Sequence, residues 1–366
     1  MSIVVKLGSS TLVDDEGRIR GGVIESRVRD LVRLVRQGLR PVLVSSGAVA
    51  CGMGRLGVAV RPSGLPELQA LAAVGQGVLF QRYLEAFDAH DILPAQVLLT
   101  SADLARRSSY LNARNTLVRL LELGVVPIIN ENDTTATDEL TFGDNDVLAA
   151  HIAVLLGSSR LLLLTDRAGL YADLGNGPEL VGDVPHGTKP TDLQLAQIPG
   201  GSGRGGIASK IAAASMATEA GVTCVIASGR ADGVIAAVAS GHHIGTRFGP
   251  AAQSASAFKL WLRYAKPSRG QIVIDSGAVQ ALCERGTSLL PVGVVDVVGG
   301  FQPGDAVDVV EVGGETLGKG IASMGAEEVR RVRGLRSDAV VAMLPGASVE
   351  VIHRDQLVLA EADEAR

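Results

Sequence analysis

The residues able to do chemistry in this 366-residue sequence sit where apolar runs end. Lys6 closes the run Ile3–Leu7 and leads into Gly8-Ser9-Ser10-Thr11. Open α/β sheets bind ligands at the carboxyl ends of their strands. There a lysine neutralises charge on a transferring phosphoryl group, and Gly8 lets the backbone approach phosphate. Taken alone, Lys6 reads equally well as a surface lysine at a strand edge. Ser45-Ser46-Gly47-Ala48 ends a second run and brings hydroxyls and backbone N–H groups beside the first loop. Asn130-Glu131-Asn132-Asp133 ends a third, and Gly143-Asp144-Asn145-Asp146 opens a helical pattern downstream. Helix capping explains one such Asp or Asn. It does not explain Asp133, Asp144, Asn145 and Asp146 together, which form a set suited to holding an ammonium group and orienting cationic side chains. Thr165-Asp166 ends a further run, ahead of Gly169-Leu170-Tyr171, a wall for a nucleotide base and ribose. Finally, Gly200-Gly201-Ser202-Gly203-Arg204-Gly205-Gly206-Ile207-Ala208-Ser209-Lys210 runs into a helix. Backbone N–H groups at such a start cradle phosphates, and Lys210 adds a mobile positive charge.

Other chemistries are excluded by what surrounds these residues. Gly201, Gly203 and Gly206 have dinucleotide-fingerprint spacing, but Gln197-Ile198-Pro199 stands where a strand is required. The next strand ends in Ser228-Gly229 rather than an acidic residue, so the fingerprint fails. Lys210 follows Ser209 and precedes Ile211, which is not a P-loop, and the protein-kinase signature sequences are absent. The six histidines lack metal-ligand spacing, His242-His243 included. Cys51 has no histidine near it in sequence and reads as a small core filler. Three cysteines, Cys51, Cys224 and Cys283, are odd in number and widely spaced, which predicts a reducing, cytoplasmic setting. No charged-then-apolar leader precedes the first run, and no apolar stretch is long enough for a membrane span.

The elements that must position these groups follow from periodicity. The length predicts two domains. Ile3–Leu7, Pro41–Ser45, Val125–Asn130, Leu161–Thr165 and Thr223–Ala227 are near-continuous apolar runs, the mark of strands covered on both faces. Between them, Val23, Ile24, Val28, Leu31, Val32 and Val35 recur at helical spacing, with Gly38 as the stop. Leu68, Leu71, Val74, Val78 and Leu79 do the same after Pro66. Tyr110–Leu123, Asn145–Leu156 and Ile207–Ala220 complete the set. The order implies an α/β domain over 1–250 with an open, mostly parallel sheet between helices. Residues 251–269 read as a linker. From 270 to 366 short Val-rich strands (Gln271–Asp275, Gly293–Val298, Ala306–Val312, Ala339–Met343) and one helix, Gly277–Arg285, predict a small β-barrel-like domain. That domain holds 8 Lys and Arg against 15 Asp and Glu, a net of −7 within a total of −5. Nucleic acid needs a basic face, so it is not an expected partner, although Arg330, Arg331, Arg333 and Arg336 cluster locally.

In order, the stretches VVKLGSS, VSSGAVACG, LNARNTL, VPIINEND, FGDND, LLLLTDRAGLY and GRGGIASK resemble the amino acid kinase family over essentially residues 1–250. The tail, with Ser288-Leu289-Leu290-Pro291 and Gly318-Lys319-Gly320, resembles the PUA domain that some bacterial members carry. The resemblance implies the amino acid kinase fold and, among its branches, phosphorylation of the γ-carboxylate of free L-glutamate by MgATP, the first step towards proline. Acetylglutamate or aspartate as acceptor, or RNA binding through the PUA-like domain, are the alternatives. It further implies that Lys6 and Lys210 stabilise the transferring group and that Asp146 organises them. Ser46, Asp133 and Asn145, with Asp144 adjacent, match acceptor-binding positions. Lys6, Gly8, Ser9, Thr165, Asp166 and Arg204, Gly205, Gly206, Ile207, Ala208, Ser209, Lys210 match the ATP site. The family loop commonly reads GTGGM, and here Arg204 and Ile207 depart from it. Mg2+ is expected to arrive with ATP, no metal ligand is assigned, and the expected assembly is a homo-oligomer without membrane attachment.

Overall fold

The structure, a computed structural model, describes residues 1–14, 16–136, 145–173, 175, 177–188, 190–196, 206–252, 256–314, 316–344 and 348–359. Two compact units divide it, Met1–Ala255 and Ser256–Arg366. In the first, strands β1 (Ser2–Leu7), β2 (Arg40–Val44), β3 (Pro94–Leu99), β4 (Val126–Glu131) and β5 (Arg160–Thr165) are followed by a small pair, β6 (Tyr171–Asp173) and β7 (Pro178–Leu180). Then come β8 (Asp183–Val184), β9 (Thr223–Ser228) and β10 (Thr246–Phe248). The main sheet runs β3-β4-β2-β1-β5-β9-β10-β8. Its first six strands are parallel neighbours; β10 runs antiparallel to β9 and β8 lies parallel to β10, so these last two run against the rest. Strand order reverses about β1, which lies between β2 and β5 with Lys6 level with Val44 and Leu163. Such a reversal opens a crevice at the strands' carboxyl ends.

Helices α1 (Ser9–Leu12), α2 (Gly21–Arg36), α3 (Ala48–Leu56), α4 (Leu65–Asp88), α5 (Ser101–Ala105), α6 (Arg107–Glu122), α7 (Asn145–Leu156), α8 (Ile207–Glu219) and α9 (Val234–Ala239) accompany the sheet. The apolar stripe expected on α2 is its buried face, Ile24, Val28, Leu31 and Val32, packed with Ile3, Val5 and Leu43 of the sheet. Each fully buried aliphatic side chain there contributes roughly 1.5–3 kcal/mol. α4 is longer than its apolar pattern indicated, at 24 residues. It touches α3 backbone to backbone: a Cβ on Gly75 would lie 1.8 Å from the Ala48 carbonyl oxygen. α3 begins after Gly47, whose φ of 97° turns the chain sharply out of the β2 loop. No described helix is long and apolar enough to cross a membrane.

The second unit is β-rich. β11 (Ser268–Ile274), β12 (Val294–Gly299), β13 (Ala306–Glu311), β14 (Thr316–Ile321) and β15 (Leu357–Leu359) form one sheet in the order β12-β11-β13-β14-β15. Ile272, Ile274, Val307 and Val309 share its core with Phe301 and Met324. Two expectations need correcting here. Residues 251–269 are not an irregular linker throughout. Ala257–Leu260 and Trp261–Ala265 are helical turns, with Leu260, Trp261 and Leu262 buried, because those side chains are too apolar to stay in water. Lys319 of β14 donates to the Arg263 and Lys266 carbonyls at 3.1 Å each, tying the segment to this unit. Ala339–Met343 is not a strand either. It lies in the helix Ser337–Met343, which buries Val340 and leaves Val341 in solvent, a one-sided burial that a helix satisfies. Of the clustered arginines, Arg330 pairs with Glu327 and Arg333 with Asp296.

Candidate active site

Asp146 stands in the first turn of α7, where the helix dipole favours a carboxylate. The Asp146 side chain is wholly buried. Lys6 Nζ lies 2.7 Å from its Oδ1 and Lys210 Nζ 2.9 Å from its Oδ2. One lysine comes from β1 and the other from the first turn of α8, so the carboxylate joins the sheet centre to a helix start. Lys6 is only 4% exposed. Charges so deep must be paired, since each costs several kcal/mol to strip of water. Two ammonium groups share one carboxylate, and the trio is therefore net positive. Burial first, and then the charge of Asp146, pushes the Cys224 thiol far above its usual range.

Beside this trio, Asn145 organises a second group. Its Nδ2 donates to the Ser45 carbonyl (2.7 Å) and to Asn130 Oδ1 (2.8 Å), with Ser46 Oγ at 3.0 Å. Asn130 Oδ1 also accepts from the Glu131 N–H at 3.0 Å, and Asn130 Nδ2 donates to Gln76 Oε1 at 2.7 Å. Ser45 Oγ is 3.0 Å from the Tyr83 hydroxyl. Asn145 Oδ1 is buried and has no hydrogen-bond partner among the described residues. Asp133 lies half-buried just past β4.

The third region gathers loops around β5. The Gly8 N–H donates to the Leu164 carbonyl at 3.2 Å, and half-buried Ser9 opens α1. Thr165 Oγ1 donates to Asp166 Oδ1 at 2.9 Å, and the Thr165 carbonyl accepts from the Gly229 N–H at 2.7 Å. The Leu170 N–H donates to Thr246 Oγ1 at 2.8 Å, fixing the turn before Tyr171. Gly206 caps α8, Ile207 and Ala208 are exposed, and Ser209 Oγ is buried without a hydrogen-bond partner among the described residues. Asp144, Arg204 and Gly205 lie outside the described residues.

The profile of the amino acid kinase family matches residues 1–228, and that of the PUA domain residues 270–344. The chain belongs to the amino acid kinase family. Its relatives include proteins named glutamate 5-kinase. That of Synechococcus sp. is 44% identical over 365 residues, covering 98% of each chain. That of Moorella thermoacetica is 45% identical over 362 residues, covering 98% of this chain and 96% of its own. That of Janthinobacterium sp. is 44% identical over 363 residues, covering 98% and 97%.

In this amino acid kinase the sequence pattern had not singled out Ser45, Gln76, Tyr83 and Asn130 as individual site residues. Asn130 carried a signal, being the first polar residue after the β4 run. Tyr83 and Gln76 carried none, because a tyrosine and a glutamine on a long helix read as packing and polar face. Among the described residues, no group of three or more His, Cys, Asp or Glu could hold a metal ion. Both Asp146 oxygens already face lysines. The described residues therefore do not fit a protein-held Mg2+ site.

Proposed function

We propose that this amino acid kinase transfers the γ-phosphoryl group of ATP to the γ-carboxylate of free L-glutamate, yielding glutamyl 5-phosphate. The observation that carries the reading is the grip of Lys6 and Lys210 on the two oxygens of Asp146. A glutamate carboxyl, with an ordinary pKa of about 4.3, is already ionised at neutral pH and needs no general base. The obstacle is the approach of one anion to another, which calls for positioned positive charge. In this reading Asp146 holds the two ammonium groups in place without neutralising both, and they stabilise charge on the equatorial oxygens of the moving phosphoryl group.

The acceptor is assigned to the side of Ser46, Asn145 and Asp133. The unpartnered Asn145 Oδ1 suits a donor, and the α-ammonium of a free amino acid is one. The nucleotide is assigned to Gly8, Ser9, Thr165, Asp166 and the start of α8, where Ser209 Oγ is buried with no hydrogen-bond partner among the described residues. Mg2+ enters, in this proposal, on the phosphates of ATP. Three free cysteines, two of them buried, suit a cytoplasmic setting in which thiols stay reduced.

Hydroxylamine tests the assignment directly, because it captures an acyl phosphate as a hydroxamate and leaves phosphate esters untouched. Purified protein with MgATP and hydroxylamine is expected to form hydroxamate that depends on L-glutamate, with N-acetylglutamate and L-aspartate poor substitutes. Acetylation removes the ammonium that Asn145 would receive and leaves a buried acceptor unpaired. Aspartate is one methylene short. ATP consumption without hydroxamate would rule out a carboxylate acceptor. Preference for N-acetylglutamate or aspartate would overturn the substrate and leave the reaction class standing.

A further inference from the structure

Gln69, Gln76 and Tyr83 recur every seven residues along α4, so they share one face, each roughly 10 Å from the next. All three reach the carboxyl ends of β2 and β4 or the residues just beyond them. Gln69 Nε2 donates to the Ala136 carbonyl at 3.0 Å, Gln76 Oε1 accepts from Asn130, and Tyr83 meets Ser45. A helix that only packed against the sheet would bury apolar side chains on this face. Tyr83 is instead completely buried with its hydroxyl spent on Ser45, itself 1% exposed.

The chemistry of the network fixes its direction. The Glu131 N–H can only donate, so Asn130 must turn Oδ1 towards it. The Ser45 carbonyl can only accept, so Asn145 must turn Nδ2 towards that carbonyl. The two amides then meet correctly, Nδ2 of Asn145 on Oδ1 of Asn130, and the Oδ1 of Asn145 is left to face a ligand. Asn130 is 2% exposed and one of the two N–H groups of its Nδ2 is taken by Gln76. Without that acceptor Asn130 would carry an unsatisfied buried donor and be drawn out of line. One residue away, Gly75 sets α4 directly on the Ala48 carbonyl, so the helix has no slack against the loop it supports.

From this we propose that Gln76 and Tyr83 are positioning residues for the acceptor amino acid, holding Asn130 and Ser45 so that Asn145 presents Oδ1 to its ammonium group. The proposal rests on assigning the acceptor to the Ser46 and Asn145 side. Neither residue touches the reacting atoms; both act through others.

The test uses the full chain and four variants, Gln76→Met, Gln76→Glu, Tyr83→Phe and Asn145→Ala, with KM for both substrates, kcat and Tm. Gln76→Met and Tyr83→Phe are each expected to raise the KM for L-glutamate about 10-fold, the effect of one lost hydrogen bond, with the KM for ATP changed less than about two-fold. Gln76→Glu keeps an oxygen for Asn130 and is expected to stay within about three-fold of the parent. Rescue by Glu but not Met separates positioning from mere bulk. Equal loss of ATP affinity, or a Glu variant as impaired as the Met variant, overturns the proposal. If Tyr83→Phe does not fold, the Gln76 pair decides alone. Asn145→Ala separates the two levels of the argument. A raised glutamate KM there, with Gln76→Met unaffected, removes the positioning role and keeps the acceptor assignment. An unchanged KM in Asn145→Ala removes the acceptor assignment and the proposal with it.

Discussion

Lys6 and Lys210 stand near opposite ends of the first unit's sequence, yet they take opposite oxygens of one carboxylate, at 2.7 and 2.9 Å from Asp146. The two variants are therefore not equivalent. Lys210, with 14% of its side chain exposed, sits at the rim, whereas Lys6 is part of the sheet. Lys210→Ala is expected to lower kcat at least ~100-fold, the scale of one lost charge-stabilising donor, while the protein remains folded. Lys6→Ala should match that loss and also depress Tm, since it empties a buried position at the centre of the sheet, while Asp146 keeps Lys210 as its counter-ion. Turnover near the parent's in either single variant would take that lysine out of the phosphoryl-transfer assignment.

His151 is buried in α7, and burial draws its pKa down from 6.5 to about 4. The folded chain thus keeps the imidazole neutral over a range in which the unfolded chain takes up a proton. Stability should fall as pH drops from about 6.5 towards 4, with a slope of up to ~1.4 kcal/mol per pH unit from this one group. Urea unfolding at about pH 7 and about pH 5 measures it. His151→Gln should lose less stability across that interval than the parent, and an identical loss would show that other groups set the acid response.

The boundary between the units suggests where the chain can be cut. A chain ending at Ala255 is expected to fold and retain phosphoryl transfer, as every assigned group precedes it. One ending at Pro267 keeps Leu260, Trp261 and Leu262 but loses Lys319, which holds the Arg263 and Lys266 carbonyls. It should be the less soluble of the two by yield and light scattering. Equal behaviour would mean that the helical segment does not depend on β14.

Much of this architecture was legible in the residues. β1, β2, β4, β5 and β9 are buried on both faces, so they appear as unbroken apolar runs. β3 did not, because it is an edge strand whose Leu98 is 36% exposed and whose pattern mixes Gln with aliphatics. α3 was hidden inside Ala48-Val49-Ala50-Cys51-Gly52-Met53-Gly54, where glycines that serve close packing look like loop residues. Ala339–Met343 misled through its paired valines, whose β preference yields to burial of Val340 alone. At the site, Lys6, Asp146 and Lys210 could be found because each closes or opens an element. Gln76 could not, since only its partner Asn130 gives it meaning.

A laboratory search for altered acceptor preference will meet the seam between α3 and α4 first. With Gly75 resting on the Ala48 carbonyl and a Cβ on Gly52 falling 1.9 Å from that of Leu71, the pair behaves as a single casting rather than two adjustable parts. Even an alanine at either position would pry the helices apart, and the displacement would be inherited by Ser45 and Ser46 in the loop that leads into α3. Libraries that leave these two codons untouched and diversify residues past β4 would sample new pocket shapes without first wrecking the frame that carries them.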